Sequence, residues 1–242
     1  MTAEELNSLI EKAEGGDVWA QYNLGVHYYA SQEYKKAVYW YEKAAAQGSA
    51  GAQNNLACCY GGGDGVEKDL SKAFQLFKEA AEQGMAMAQS NLGLYYECGF
   101  GVAQDYVQAA VWYKKAAEQG YMWGQCNIGS LYERGLGVEK NEAEAAAWYQ
   151  KAAEQGADRA QYSLGLCYLH GKGVAKEYQE ALYWLKKAAE QNHADAQYQL
   201  GQCYESGIGI EKNQSKAIEW YKKASWKGHK QAKEALARLG AA

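Results

Sequence analysis

Residues 88–120 read AQSNLGLYYECGFGVAQDYVQAAVWYKKAAEQG, and this pattern returns along most of the chain. Five copies align without a gap when blocks that start at residues 52, 88, 124, 160 and 196 are superimposed, which gives a period of 36 residues. A first copy starts at residue 20, only 32 residues before the second. A fixed period of this length is typical of a solenoid, in which each repeat buries its apolar face only against its neighbours.

Each repeat has the pattern of two helices joined by a turn. Ala88, Leu92 and Tyr96 are spaced by four residues, a periodicity that fits a helix and does not fit a strand. Residues 99–102, Gly-Phe-Gly-Val, follow, and two glycines supply the unusual backbone angles of a turn. The second half repeats Ala-x-x-Trp-Tyr-x-Lys-Ala-Ala, whose small alanines let neighbouring helices approach while one bulky aromatic fills the remaining space.

Polar residues and glycines mark where the helices should begin and end. We expect four side chains to act as N-caps of second helices, namely Asp69, Asp105, Asn141 and Asn213. Three residues after two of these caps, Gln108 and Glu144 predict capping boxes, whereas Glu177 predicts a weaker cap in the fifth copy. The second helices should end before Gly84, Gly120, Gly156 and, in the fifth copy, Asn192, all of which tolerate a left-handed conformation.

The copies predict one solenoid over residues 1–242. Its six repeats would span residues 17–48, 49–84, 85–120, 121–156, 157–192 and 193–228. The first copy lacks the Gly-x-Gly-Val loop, so it should turn more tightly and use Ser31 near the cap. Residues 1–16 and 229–242 resemble half-repeats, and we interpret them as caps because the terminal units of a solenoid need one polar face.

Composition narrows the classes of partner. The chain is 48% hydrophobic and 22% charged, with a formal charge of −4, so it should fold and should not bind nucleic acid, which favours basic patches. No apolar run approaches the 18 residues of a membrane span, so we expect no direct membrane insertion. The acidic N-terminus carries no secretory signal pattern, which predicts a cytoplasmic protein, or a periplasmic or secreted one if an export signal has been removed.

The repeat resembles the Sel1-like repeat, a relative of the tetratricopeptide repeat. The match rests on Ala-x-x-x-Leu-Gly-x-x-Tyr, then Gly-x-Gly-Val, then Ala-x-x-Trp-Tyr-x-Lys-Ala-Ala-x-x-Gly, and it covers roughly residues 17–226. The resemblance implies an all-α fold, a right-handed α/α superhelical solenoid of helix-turn-helix repeats. It also implies an adaptor or scaffold that holds protein ligands on its concave face.

Positions that differ between copies mark a candidate binding stripe along one face of the first helices. The residues at these positions are Trp19, Tyr22, Val26 and Tyr29 in the first copy, Asn54 and Cys58 in the second, Met87, Ser90, Leu94 and Glu97 in the third, Trp123, Cys126, Ser130 and Glu133 in the fourth, Arg159, Tyr162, Leu166 and Leu169 in the fifth, and Asp195, Tyr198, Gln202 and Glu205 in the sixth. Tyrosine and tryptophan are typical interface anchors. The alternative is that some of these side chains fill the space between adjacent first helices.

A row of asparagines also recurs, at Asn23, Asn55, Asn91 and Asn127. Such a ladder could grip the backbone of a bound peptide. Hydrogen bonds between repeats are the alternative interpretation, and the sequence leaves both open.

The chain contains cysteines, histidines and glycine loops, but their spacing does not match that of catalytic, metal or phosphate sites. The six cysteines all fall in or just after first helices, with no CxxC and no Cys-His cluster of zinc spacing. We expect free, buried thiols of the kind a reducing cytosol permits. The four histidines are scattered, and no strand precedes the Gly-x-Gly loops, so they are not phosphate cradles. The sequence therefore predicts no catalytic residue, no metal and no cofactor.

These patterns predict a non-catalytic adaptor that binds a peptide or protein segment in the concave groove of a solenoid. The alternative from another class is a cell-envelope hydrolase or penicillin-binding protein, as claimed for a cysteine-rich branch of Sel1-like proteins. That branch pairs a cysteine on each helix of a repeat, and the second helices here contain none. A further alternative is a structural protein that associates with itself through its ends.

Overall fold

The computed structural model describes residues 2–241, and within them it contains fourteen α-helices and no strand. The helices are α1 (Ala3–Glu14), α2 (Val18–Ala30), α3 (Tyr34–Ala46), α4 (Ala50–Gly62), α5 (Leu70–Glu82), α6 (Ala86–Cys98), α7 (Tyr106–Glu118), α8 (Met122–Arg134), α9 (Glu142–Glu154), α10 (Asp158–His170), α11 (Tyr178–Glu190), α12 (Ala194–Ser206), α13 (Gln214–Trp226) and α14 (Lys230–Arg238). The prediction of an all-α chain of helix-turn-helix repeats is confirmed. None of these helices is long and apolar enough to cross a membrane.

The chain divides into two compact units, residues 1–124 and residues 125–242. In the first unit each helix from α1 to α7 packs against the next one along the chain. In the second unit the same holds for the helices from α9 to α14. The core of each unit is therefore built by neighbouring helices, as expected for repeats that bury their apolar faces locally.

The predicted N-caps are confirmed, and the predicted capping boxes are wrong. Oδ1 of Asp105 accepts from the backbone N–H of Gln108 at 3.0 Å, and Asp69, Asn141 and Asn213 cap their helices in the same way. A capping box needs the backbone N–H of the cap residue, but that of Asp105 donates to the carbonyl of Tyr96 at 2.9 Å. The backbone N–H of Asn141 likewise donates to the carbonyl of Tyr132, at 3.0 Å. In both repeats a carbonyl of the first helix accepts the N–H that a capping box would need.

The other helix ends follow the expectations. Glu177 makes no side-chain cap, in line with its weaker capping propensity. Asn192 adopts the left-handed conformation of the glycines that it replaces, with φ of 68°. In the first copy Ser31 ends α2, its hydroxyl donates to the carbonyl of His27 at 3.0 Å, and Gln32 takes a φ of 62°. This three-residue connection is the tight turn predicted for the copy without a glycine loop.

Small residues and rings fit together in the core of each repeat. A Cβ built on Gly93 would lie only 2.6 Å from the ring of Tyr113, which is fully buried. The lysine of the repeat covers the neighbouring tryptophan, because Nζ of Lys115 lies 3.9 Å from the ring centroid of Trp112. Contacts of this kind recur in the second unit between Lys151 and Trp148 and between Lys223 and Trp220. The recurrent lysines therefore form cation–π contacts.

Candidate functional site

The candidate binding stripe separates into exposed, half-buried and buried members. The exposed members of the first unit are mostly apolar, namely Trp19, Val26, Tyr29, Cys58, Met87, Leu94 and Trp123. The exposed members of the second unit are charged, namely Arg159 and Asp195. Nine members are only partly exposed, namely Tyr22, Glu97, Ser130, Glu133, Tyr162, Leu166, Tyr198, Gln202 and Glu205. An apolar contact surface is thus available only on the first-unit part of the stripe.

Four predicted binding residues are buried, and for these the prediction needs correction. Asn54 and Cys126 each expose 1% of their surface, and Ser90 and Leu169 are also buried. The cause is the width of the stripe, which extends past the open face of the helix to its packed side. Asn54 shows the consequence, since its Nδ2 lies 3.6 Å from Sδ of Met87 in the next repeat. These four residues offer no surface to a partner.

The half-buried tyrosines of the stripe pack against the following repeat. The ring of Tyr162 stacks on His193 with centroids 4.8 Å apart, and Tyr198 stacks on His229 at 4.5 Å. Each histidine also caps its helix, since its Nδ1 accepts a backbone N–H, from Ala196 in the case of His193. Inter-helix packing, the alternative role considered for the stripe, accounts for these two rings.

At the last position of the stripe in the third, fourth and sixth repeats, the side chain contacts a residue of the second helix. The hydroxyl of Tyr149 donates to Oε2 of Glu133 at 2.8 Å, and the pairs Tyr113–Glu97 and Tyr221–Glu205 repeat this bond at 2.8 and 2.7 Å. Burial, together with the nearby Glu133 carboxylate, raises the pKa of Tyr149. The fifth repeat has leucine at both positions, Leu169 and Leu185. Variation at this position therefore follows packing inside the repeat.

Three of the four asparagines in the row form hydrogen bonds within the protein. Nδ2 of Asn91 donates to Oδ1 of Asn54 in the preceding repeat at 3.0 Å, which is the inter-repeat bond considered as the alternative. Nδ2 of Asn23 donates to the carbonyl of Trp19 at 2.7 Å, inside its own helix. Asn55 donates from Nδ2 to the hydroxyl of Tyr41 at 3.3 Å. These amides already have partners that belong to the fold.

One cavity opens on the exposed part of the stripe in the first unit. It has a volume of about 320 Å³ and brings together three predicted residues, Val26, Tyr29 and Cys58. The rest of its wall comes from Asn55, a member of the asparagine row, and from Ala30 and Tyr41, which the repeat pattern did not single out. Within a single repeat, Ala30 and Tyr41 look like ordinary helix and core residues. Their place in the cavity wall becomes visible only when α2 packs against α3 and α4.

The surroundings of this cavity are apolar with a small polar edge. The hydroxyl of Tyr29 donates to Oδ2 of Asp64 at 2.8 Å, and this bond raises the pKa of Tyr29. Partial desolvation of the thiol raises the pKa of Cys58, and burial raises that of the neighbouring Tyr41 hydroxyl to about 12. We define the N-terminal apolar face as the exposed residues Trp19, Val26, Tyr29, Cys58, Met87 and Leu94.

The cysteines are free thiols in two environments. Cys59, Cys126, Cys167 and Cys203 are buried, as expected, whereas Cys58 and Cys98 are exposed, contrary to the prediction. Burial raises the pKa of Cys59 to about 12 and that of Cys126 to about 11, so these sulfurs stay protonated at neutral pH. Across residues 2–241 the side chains form no cluster of three or more histidine, cysteine or carboxylate groups able to hold a metal ion.

Comparison with known proteins identifies the repeat. A sequence model of the Sel1 repeat matches residues 20–49, 50–85, 86–121, 124–156, 158–193 and 194–229. A Sel1 repeat protein from Oxalobacter formigenes is 38% identical, with a TM-score of 0.84 over 89% of this chain and 86% of that one. Comparison with curated proteins finds no significant match.

Two further solved structures extend the comparison. The protein c5321, a protective antigen of uropathogenic Escherichia coli strains, is 36% identical with a TM-score of 0.77 over 97% of this chain. This chain spans 59% of the length of that antigen. The immunity protein Pa5087 from Pseudomonas aeruginosa, 24% identical with a TM-score of 0.53 over 80% of this chain and 74% of that one, shares the fold.

Proposed function

Since this chain belongs to the Sel1 repeat family, we propose that it is a non-catalytic scaffold that holds a peptide or protein segment on its N-terminal apolar face. Sel1 repeat proteins are generally protein-interaction scaffolds. The observation that carries the finer proposal is the cavity of about 320 Å³ in which Val26, Tyr29 and Cys58 meet. An apolar anchor seated in a pocket is the usual centre of a binding surface.

The geometry fits one apolar side chain of a partner, such as leucine, flanked by shallower contacts. The cavity floor is mainly hydrocarbon and aromatic, so a charged side chain would lose its hydration there without gaining a counter-charge. Outside the cavity, Trp19, Met87 and Leu94 remain exposed and can cover further apolar atoms of the partner. A segment with two or more apolar residues therefore suits this face.

A substitution at the cavity tests the proposal. Peptides selected from a random library on the wild-type protein should bind the Val26→Glu variant about tenfold more weakly or worse, because an unpaired carboxylate among apolar groups costs more than 1.4 kcal/mol. Fluorescence polarisation of a selected, labelled peptide measures the change in Kd. The matched control is Val111→Glu, since Val26 and Val111 expose 38% and 41% of their surface and Val111 lies on the second helix α7.

The control should bind the peptide as the wild type does, and circular dichroism should show that both variants are folded. Equal weakening by the two substitutions, or no weakening by Val26→Glu, would place recognition on another surface. Failure to enrich any peptide would remove the support for a binding face here.

Each of the two alternative functions can be tested by an assay. A hydrolase of the cysteine-rich kind would turn over nitrocefin, but the cysteine pairing of that branch has no counterpart here, because all six cysteines are free. Self-association would raise the apparent mass with concentration in light scattering. We expect neither result.

A further inference from the structure

A hydrogen bond between an exposed glutamine and a buried one joins the two helices of five repeats. In each pair, Nε2 of the glutamine that follows the second helix donates to Oε1 of the buried glutamine in the first helix. The pairs and distances are Gln47–Gln21 at 2.8 Å, Gln83–Gln53 at 2.6 Å, Gln119–Gln89 at 2.7 Å, Gln155–Gln125 at 2.8 Å and Gln191–Gln161 at 2.8 Å. The repeat thus supplies a dedicated donor for a carbonyl oxygen that water cannot reach.

The sixth repeat lacks this donor. Lys227 stands where the other copies have glutamine, 36 residues after Gln191. Gln197 exposes only 1% of its surface, and its Nε2 donates to the carbonyl of Ala189 at 3.1 Å. Its Oε1 has no hydrogen-bond partner in the part of the chain that the structure describes. A buried oxygen left in this state destabilises the fold unless some other donor reaches it.

A cavity of about 290 Å³ lies beside this oxygen. Besides Gln197 it is lined by Asn192, Lys222, Lys223, Trp226 and Lys227. Trp226 is 86% exposed, and Nζ of Lys227 lies 5.7 Å from the centroid of its ring. None of the three lysines forms an ion pair with a carboxylate among residues 2–241. The site therefore combines an unsatisfied acceptor, three lysines without a carboxylate partner and an exposed indole.

We propose that this cavity binds an acidic peptide segment. A backbone N–H of the segment donates to Oε1 of Gln197, its carboxylates lie near Lys222, Lys223 and Lys227, and an apolar side chain covers Trp226. Lys227 and Trp226 are exposed side chains that line the same cavity as Gln197, and the proposal requires one of them to turn aside so that the segment reaches Oε1. A nucleic acid is the other class of anion with hydrogen-bond donors, and three lysines around one cavity are fewer than the basic stripe that it needs. The site lies in the second unit, so it is additional to the N-terminal apolar face.

The substitution Lys227→Gln tests the proposal without the risk of unfolding. It restores the residue of the other five repeats, so its amide should donate to Oε1 of Gln197 and close the site. The probe is a fluorescein-labelled peptide of sequence Leu-Glu-Glu-Leu-Glu-Glu at low ionic strength, with Kd measured by fluorescence polarisation. We expect Lys227→Gln to weaken binding about tenfold or more while raising the thermal midpoint, because it removes both the free acceptor and one charge.

Two controls separate the acceptor from the charge. Lys222→Gln removes one lining charge and leaves the acceptor open, so it should weaken binding only about two- to threefold, as a rim charge does. Lys186→Gln removes the exposed lysine at the equivalent position of the fifth repeat, and it should change nothing. Equal Kd values for wild type and Lys227→Gln, or no saturable binding of the peptide, overturn the proposal. Binding of a single-stranded oligonucleotide in place of the peptide, with the same sensitivity to Lys227→Gln, also overturns it.

Discussion

Side chains that vary between the repeats of this protein vary in matched sets. Tyrosine on the second helix occurs with glutamate on the first in the third, fourth and sixth repeats, where the tyrosine hydroxyl bonds the carboxylate. Leu185 and Leu169 replace both members in the fifth repeat. A buried hydroxyl needs an acceptor, and an apolar partner needs none, so only the matched sets avoid an unsatisfied polar group. A position can therefore vary between copies without contacting any ligand.

A double-mutant cycle in the fourth repeat tests this pairing. Tyr149→Phe should lower the free energy of unfolding by about 1 kcal/mol and Glu133→Leu by about 1–2 kcal/mol, because each leaves the other polar group without its partner. The double variant should lose less than the sum, with a coupling energy of about 0.5–1 kcal/mol. Urea denaturation followed by circular dichroism measures all four proteins. The contact of Lys172 with Glu133 at 3.9 Å is exposed and should contribute little.

Glu219 on α13 gives the control for this cycle, since its side chain is exposed. Glu219→Leu combined with Tyr149→Phe should be additive within the error. Additivity of the Tyr149→Phe and Glu133→Leu pair as well would show that the hydrogen bond has no energetic role.

At the scale of the elements, the second glycine of each Gly-x-Gly loop sets how closely two repeats can approach. Gly101 has φ of 67°, and a Cβ built on it would lie 2.2 Å from the carbonyl oxygen of Leu70, at the start of α5 in the preceding repeat. Gly120 ends α7 with φ of 83°, and nothing lies within 4 Å of its Cβ position. The two glycines share a left-handed backbone, and only Gly101 makes a close contact.

This difference predicts unequal costs for the same substitution. Gly120→Ala should lower the free energy of unfolding by about 1 kcal/mol, the usual cost of a Cβ in the left-handed region. Gly101→Ala should cost at least about 2 kcal/mol more, because the backbone of α5 must also move. Urea midpoints of the two variants measure the difference. Similar midpoints would mean that the repeats can separate at the loop without loss of stability.

The sequence predicted what is local to one helix and missed what depends on a neighbouring helix. The caps at Asp105 and Asn141 were predictable because they bond the next turn of their own helix. The capping boxes failed because the carbonyls of Tyr96 and Tyr132, on the first helices, take the cap N–H groups. The burial of Asn54 was equally hidden, since its bond partners lie in the next repeat. Periodicity identifies the core face of a helix and cannot say how wide that face is.

At the scale of the whole molecule, the core contains several cysteine thiols that ionise at a higher pH in the folded state than in the unfolded state. Burial raises the pKa of Cys59 from 9.0 to about 12 and that of Cys126, Cys167 and Cys203 to about 11. These groups are neutral when protonated, so a raised pKa means that the native state holds the proton more tightly than the unfolded state does. Their contribution to stability is complete below about pH 9 and is lost as the pH rises through the folded values.

We therefore expect the free energy of unfolding to fall between about pH 9 and pH 12, by up to about 4 kcal/mol for Cys59 and about 3 kcal/mol for each of the other three buried thiols, since a change of one in pKa corresponds to about 1.36 kcal/mol. The buried Tyr41, with a pKa of about 12, adds to the loss above pH 10. Urea midpoints at half-unit steps of pH measure the slope.

Cys203→Ala should cost about 1 kcal/mol at pH 7 by loss of packing and should flatten the slope between pH 9 and 11. The exposed Cys98 supplies the comparison, because its pKa is raised by less than that of Cys203, so Cys98→Ala should flatten the slope less. Identical slopes for the two variants would mean that the buried thiols reach solvent in the native protein, which is incompatible with repeats packed as closely as Gly93 and Tyr113.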